Sequence, residues 1–432
     1  MVIFFLISRD QKGHKEVDHI LPLLYLLNNK KIDFVARGII YGYESIISDK
    51  TDIRIKILSE IENVSLLEPY SINRNIFFKN VKKWLKNKNK NLLSKVINKL
   101  IKFGISRLFR NSDDKINWEP LVGHEFINTK NPIIVTLLSN QNIVKAVEKI
   151  KILNPSAKWI FYPHGTIISD NRMLMDTDLN RDESILKDPF INSVDSRLFT
   201  SRRDLKEAIT AGLKKEKGAV IGSTRFCSEW MKIKQKLNMD SQIPDIRDQA
   251  KVRILFLIPK SFINIFNEEL LRTIEFMAGY DEIDLILNRA STSYPKVQRW
   301  ILKKSNVRDY LIAKEYSTGA LVNWADIVIH VGTGVIFESL MKNKITVFPR
   351  YLTCNTLICE KYNAGWTLKN RDDLRSFCNM AVNSIADTRK KYFNDYGSGI
   401  DKYIEDFVYG NSPSPIENVA QIFNQLHIED GR

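Results

Sequence analysis

The stretch ADIVIHVGTGVIFESLMKNKITVFPR, residues 325–350, decides how the chain is read. Residues 326–329 are a short apolar run with the character of a buried strand. His330-Val-Gly-Thr-Gly is a tight polar turn. Residues 335–342 then carry Val335, Ile336, Leu340 and Met341 at roughly helical spacing, and 345–348 is a second apolar run. Strand, Gly-rich turn, helix and parallel strand make a βαβ unit, whose turn directs free backbone amides at any ligand above it. Gly332 and Gly334 let the backbone approach that ligand where a side chain would block it. A phosphate is the natural occupant, with His330 and Thr333 beside it.

At 432 residues the chain is too long for one ordinary core and suits two α/β domains. Its formal net charge of +15 predicts attraction to an anionic partner: nucleic acid, an acidic lipid surface or a phosphorylated substrate. The opening MVIFFLIS is short and runs into Arg9 and Asp10, so it reads as a first buried strand and not a signal peptide. No apolar run approaches the roughly 18 residues that a membrane span needs. Four scattered cysteines, without metal-ligand spacing, point to reduced thiols in the cytoplasm.

Outward from the 325–350 unit, apolar runs and helical patterns alternate along the chain. In the first half, 2–7, 32–36, 53–57, 132–138, 158–162, 195–200 and 219–221 read as strands, and 17–27 as a helix despite Pro22. The loop before that helix holds Glu16, Asp18 and His19, and parallel sheets place chemistry at such strand ends. The strand at 158–162 ends in Pro163-His164-Gly165-Thr166, and the strand at 219–221 runs into Gly222-Ser223-Thr224-Arg225. Residues 238–252 are a polar linker. The pattern restarts at 253, where Lys260 follows the first strand, and a helical tail closes the chain. The division expected is 1–237, 238–252, 253–390 and 391–432.

Residues 79–110 contain many Lys and Arg, no Asp or Glu, and Trp84, Leu92, Val96, Leu100 and similar residues at steps of three and four. Such a basic amphipathic segment suits an anionic membrane surface. That choice is taken over nucleic acid, because no nucleic-acid motif accompanies the charge.

His330-x-Gly332-x(5)-Glu338 resembles the H-x-G-x(5)-E nucleotide-sugar signature of glycosyltransferases with two Rossmann-like domains, the GT-B fold. Val220-Ile-Gly-Ser-Thr-Arg225-Phe is similar to the V-x-G-[SN]-x-R-[FY] segment of bacterial surface-carbohydrate enzymes. Phe161-Tyr-Pro-His164-Gly165-Thr166 is similar to the HGT segment of CDP-glycerol glycerophosphotransferases. The stretch into Arg350 also resembles UDP-N-acetylglucosamine 2-epimerases. Leu287 is followed by Asn-Arg-Ala-Ser where the glycerophosphotransferases carry a His-Pro pair, so the cargo stays open.

The resemblance implies two Rossmann-like domains about a cleft, with the C-terminal helices packing back on the first. It implies a donor site of Gly222, Ser223, Arg225, Lys260, His330, Gly332, Thr333, Gly334 and Glu338, with Glu338 at the cleft, gripping ribose. The base is expected from Glu16, Asp18, His19 or His164. No cofactor or metal is expected, the donor being a UDP- or CMP/CDP-activated sugar or polyol phosphate. The acceptor would be a surface polysaccharide or a lipid-linked glycan, reached from the inner face of the plasma membrane. A UDP-N-acetylhexosamine 2-epimerase or hydrolase, and a non-catalytic membrane- or RNA-binding scaffold, are the competing readings.

Overall fold

The computed structural model describes residues 1–8, 17–41, 53–67, 118–137, 141–163, 165, 168, 190–237, 239–240, 252–258, 265–289, 301, 303–304, 310–313 and 316–428. The basic segment 79–110 and the candidates Glu16, His164 and Lys260 lie outside them.

The first half builds β1 (Val2–Ser8), α1 (Val17–Asn29), β2 (Val35–Tyr41), α2 (Ile53–Glu60), β3 (Val64–Leu67), α3 (Glu119–Asn128) and β4 (Ile133–Thr136). After these come α4 (Gln141–Leu153), β5 (Lys158–Phe161), β6 (Ser196–Phe199), α5 (Arg202–Thr210), β7 (Gly218–Val220) and α6 (Ser228–Lys236). The strands pair in parallel in the order β3-β2-β1-β4-β5-β6-β7. Parallel strands are covered on both faces, so β1 is a continuous apolar run and not an alternating one. Ile3 and Phe5 point into a core shared with α1, while Phe4 and Leu6 point into a second core with α3 and α4. There the Phe4 and Phe126 rings meet edge-on at 5.6 Å.

Two segments differ from the pattern expected of the sequence. Residues 53–57 are the start of α2 and not a strand; Ile57, Leu58 and Ile61 are buried at helical spacing, and the strand comes afterwards as β3. Residues 32–34 precede β2, which begins at Val35, after a turn in which Lys31 takes φ 55°.

The second half builds β8 (Val252–Ile258), α7 (Asn267–Ala278), β9 (Ile283–Arg289), β10 (Tyr310–Ala313), α8 (Thr318–Trp324), β11 (Ile327–His330), α9 (Val335–Met341) and β12 (Ile345–Pro349). Then follow α10 (Ile358–Lys361), β13 (Trp366–Leu368), α11 (Arg371–Asn383), α12 (Ile385–Ile404) and α13 (Pro415–Ile428). The sheet is again all parallel, in the order β10-β9-β8-β11-β12-β13. Ile254, Phe256 and Ile258 face the larger core and Leu255 and Leu257 the smaller. Ser317, Asn370 and Ser384 cap α8, α11 and α12, each side chain accepting from a backbone N–H three residues on.

Of the C-terminal helices, α12 stays on the second half, where Tyr392, Ile400 and Tyr403 are buried in its core. The chain then passes through a π-turn, Glu405–Tyr409, and a left-handed Gly410. It returns as α13, whose Ile416, Val419 and Phe423 complete the core beside α1. No described helix is long and apolar enough to cross a membrane.

Candidate functional site

β11 ends at His330 and α9 begins at Val335, so residues 331–334 turn at the C-terminal edge of the second sheet. His330 is buried, its ring stacked on Phe348 of β12 at 6.0 Å. Burial pushes its pKa down to about 4, so the imidazole is neutral near pH 7. Its Nδ1 accepts from the Gly332 N–H at 3.4 Å, which leaves the ring proton on Nε2. Gly332 has φ +84°, a conformation side-chain-bearing residues rarely adopt, and a Cβ added at Gly334 would meet nothing within 4 Å. The Thr333 hydroxyl accepts from the Val335 N–H, while the N–H groups of Thr333 and Gly334 donate to no described residue. The turn thus offers two open amides and one imidazole N–H donor.

Glu338 is not at an open cleft, as expected from the sequence, but buried at 5 % exposure. Its Oε1 accepts from Lys342 on its own helix at 2.9 Å and from Lys234 of α6 at 2.8 Å. Asp240 lies 3.0 Å from Lys234 and 3.3 Å from Lys342, completing an alternating cluster of four charges. Burial alone would raise the Glu338 carboxyl, but the two lysines outweigh it and hold it well below the usual range. Burial would likewise lower Lys234, and Glu338 and Asp240 together reverse that shift upward.

Across from this turn, a small hollow opens at the C-terminal edge of the first sheet, lined by His19, Tyr162, Gly165, Thr200, Ser223 and Arg225 among others. At its wall Asp18 pairs with Arg54 at 2.7 Å and with Arg225 at 3.6 Å. Arg225 also donates to His19 Nε2 at 3.3 Å; a guanidinium only donates, so that nitrogen is the acceptor. Tyr162 and Thr224 share a 2.5 Å hydrogen bond beneath. Gly165 lines the hollow, and Ile168 reaches the other half: its C=O accepts from the Ile358 N–H at 2.9 Å. Its side chain would lie 3.8 Å from a Cβ on Gly332. Three residues span at most about 11 Å, so the hollow and the Gly332 turn are neighbours across the boundary between the halves.

The structure therefore gathers the sequence candidates into two groups, His330, Gly332, Thr333, Gly334 and Glu338 in one and Asp18, His19 and Arg225 in the other. Gly222 and Ser223 line the same hollow as His19 and Arg225, and their backbones are also packed against the tail. Gly222 abuts the Val408 and Tyr409 carbonyls, and Ser223 donates its N–H to Val408 at 2.6 Å, so the close approach there is to the protein's own tail. Sequence reasoning missed Lys234, Asp240, Lys342 and Arg54. Only Lys342 carried a local signal, its i,i+4 spacing from Glu338.

Two parallel α/β sheets, each covered by helices and meeting along the edges that carry the candidate residues, with a C-terminal helix returning to the first, define the GT-B architecture. No family model matches the sequence, and no curated protein matches it. Solved structures do share the fold. HepE of Anabaena, in complex with UDP-glucose, superposes with a TM-score of 0.53 at 11% identity, covering 98% of this chain and 100% of that one. A glycosyltransferase from Rickettsia africae gives 0.51 at 14%, covering 100% and 99%. The UDP-GlcNAc 2-epimerase of Neisseria meningitidis bound to UDP-GlcNAc gives 0.51 at 13%, covering all of both chains. At such identities the likeness is one of fold.

Proposed function

We propose that this chain is a glycosyltransferase that moves a sugar, or a polyol phosphate, from a nucleotide-activated donor to a cell-surface polysaccharide or lipid-linked acceptor. The observation that carries the reading is the segment 330–338. It presents two amides without a partner among the described residues and an imidazole N–H where a diphosphate would lie, and a carboxylate one helical turn on. Donors fixed in place before the leaving diphosphate develops its charge stabilise the transition state without reorganising. Solved neighbours holding UDP-glucose and UDP-GlcNAc on the same fold favour a nucleotide-sugar partner.

In this reading the diphosphate takes the Thr333 and Gly334 amides, His330 Nε2–H and Arg225, and a ribose hydroxyl takes Glu338. Lys260 follows β8 in sequence and is a further cation for the donor. The acceptor hydroxyl lies in the hollow beside α1, where Asp18, His19, Glu16 or His164 serves as base. His19 has a specific route to that role: when Arg225 exchanges it for a phosphate, Nε2 is released to take a proton. Charge stabilisation is assigned to amides and cations, with no metal and no cofactor. The basic segment 79–110 would hold the protein at the inner face of the plasma membrane, where a lipid-linked acceptor resides.

A thermal-shift panel of UDP-, CMP-, CDP- and GDP-compounds tests the donor site, because ligands of the folded state raise its melting point by mass action. A rise with one nucleobase series is expected, and no rise with any overturns the reading. Incubating the recognised nucleotide sugar without acceptor separates the chemistry: a 2-epimerase makes product alone, a transferase does not. The fold shared with the Neisseria epimerase makes that second arm necessary.

A further inference from the structure

We infer that Lys234, a side chain of the first half, is a positioning residue that aims the Glu338 carboxylate of the second half at the donor's ribose. The inference rests on the donor reading above. Glu338 Oε1 accepts two hydrogen bonds, from Lys234 at 2.8 Å and Lys342 at 2.9 Å, while Oε2 accepts none among the described residues. One oxygen is pinned and the other is left to be used.

Lys342 alone would not achieve this. It sits on the same helix four residues on, and a single lysine leaves a carboxylate free to turn about its last bond. The second cation comes from α6, across the boundary between the halves, and is itself fixed. Asp240 holds Lys234 from behind and is tied down by Ser317, whose hydroxyl donates to Oδ1 at 3.0 Å, and by Asn323, which donates to its backbone carbonyl at 3.4 Å. Gly319 lies so close to the Asp240 carboxylate that no side chain fits between them. A carboxylate set before the ligand arrives loses no further rotamer freedom on binding, which strengthens the grip. Because Lys234 belongs to the other half, the ribose grip is complete only while α6 is seated on α9.

The test uses the full chain carrying Lys234→Met together with Asp240→Asn. This pair removes one charge of each sign and leaves Lys342 and Glu338 balanced, so folding is kept. Calorimetry is run with the nucleoside diphosphate selected by the thermal-shift panel and with its 2′,3′-dideoxy counterpart. The wild type should prefer the hydroxylated form. In the paired variant its affinity should fall about tenfold or more, as expected for weakened hydrogen bonds to a charged group, while the dideoxy form binds as before. Lys234→Arg should restore most of the preference. Equal weakening of both ligands, or no change in either, overturns the inference and leaves the donor reading standing. A wild type that binds no nucleoside diphosphate fails the donor reading itself, and one that does not distinguish the two forms removes Glu338 from the ribose.

Discussion

Gly222 and Val408 are in backbone contact: a Cβ built on Gly222 would lie 2.6 Å from the Val408 carbonyl oxygen, and Gly222 itself has φ +80°. The last strand of the first sheet and the π-turn of the tail thus touch through a position that only glycine fills. Gly222→Ala combines a strained backbone with a clash and should cost about 2 kcal/mol or more. The melting temperature should drop, and amide exchange over α13 should quicken as its docking loosens. An unchanged melting curve would contradict this account of the junction.

His330 should give the fold an acid-sensitive component. Its pKa is depressed from 6.5 to about 4 in the folded state, so between those values the unfolded chain binds a proton that the folded chain does not. The contribution is fully present above pH 6.5 and lost as pH falls toward 4, amounting to about 3 kcal/mol at the acid end. Denaturation of wild type and His330→Asn across pH 4 to 7 should show that component in the wild type alone. Parallel profiles would mean that the imidazole is not held neutral by burial.

Glu338→Ala should act on both binding and folding. Loss of the ribose contact weakens the nucleotide by about 1–3 kcal/mol. Lys234 and Lys342 are also left with Asp240 as the one carboxylate between two half-buried cations, which should cost about 1–3 kcal/mol of stability. Calorimetry reads the first and thermal melting the second. A variant that melts like the wild type would show the cluster to be energetically idle.

The segment 79–110 should bind anionic vesicles. Each Lys or Arg near such a surface contributes about 1 kcal/mol, screened by salt. Replacing Lys82, Lys83, Lys86 and Lys90 with Glu should release the protein from those vesicles and leave turnover of a soluble acceptor intact. Cosedimentation that persists in the variant, or is absent in the wild type, removes the membrane from the reading.

The frame was legible where local pattern and burial agree. In residues 325–350, β11, the Gly332 turn, α9 and β12 follow from apolar spacing, because a parallel strand and its crossover helix are each specified within a few residues. Residues 53–60 misled because Ile-Arg-Ile-Lys-Ile alternates like a strand, whereas the buried positions that decide the matter are Ile57, Leu58 and Ile61. The site was legible only in part. Glu338 was found by its spacing from His330, but its partners Lys234 and Asp240 lie about a hundred residues earlier, and no periodicity links them. Gly222 was read only as a turn glycine of the donor set; what packs against it, the carbonyls of Val408 and Tyr409, is set by a tail nearly 190 positions later.

The return of α13 to the first sheet also dictates an order of synthesis. Ile416, Val419, Ala420 and Phe423 fill the core against α1, so a chain emerging from the ribosome carries an uncovered greasy face on α1 until residues 415–428 have been made. The half translated first is the half that can be finished last. During that interval the α1 surface is where a chaperone would have most to shield, and where a premature stop shortly before residue 415 would leave a sticky, half-built product.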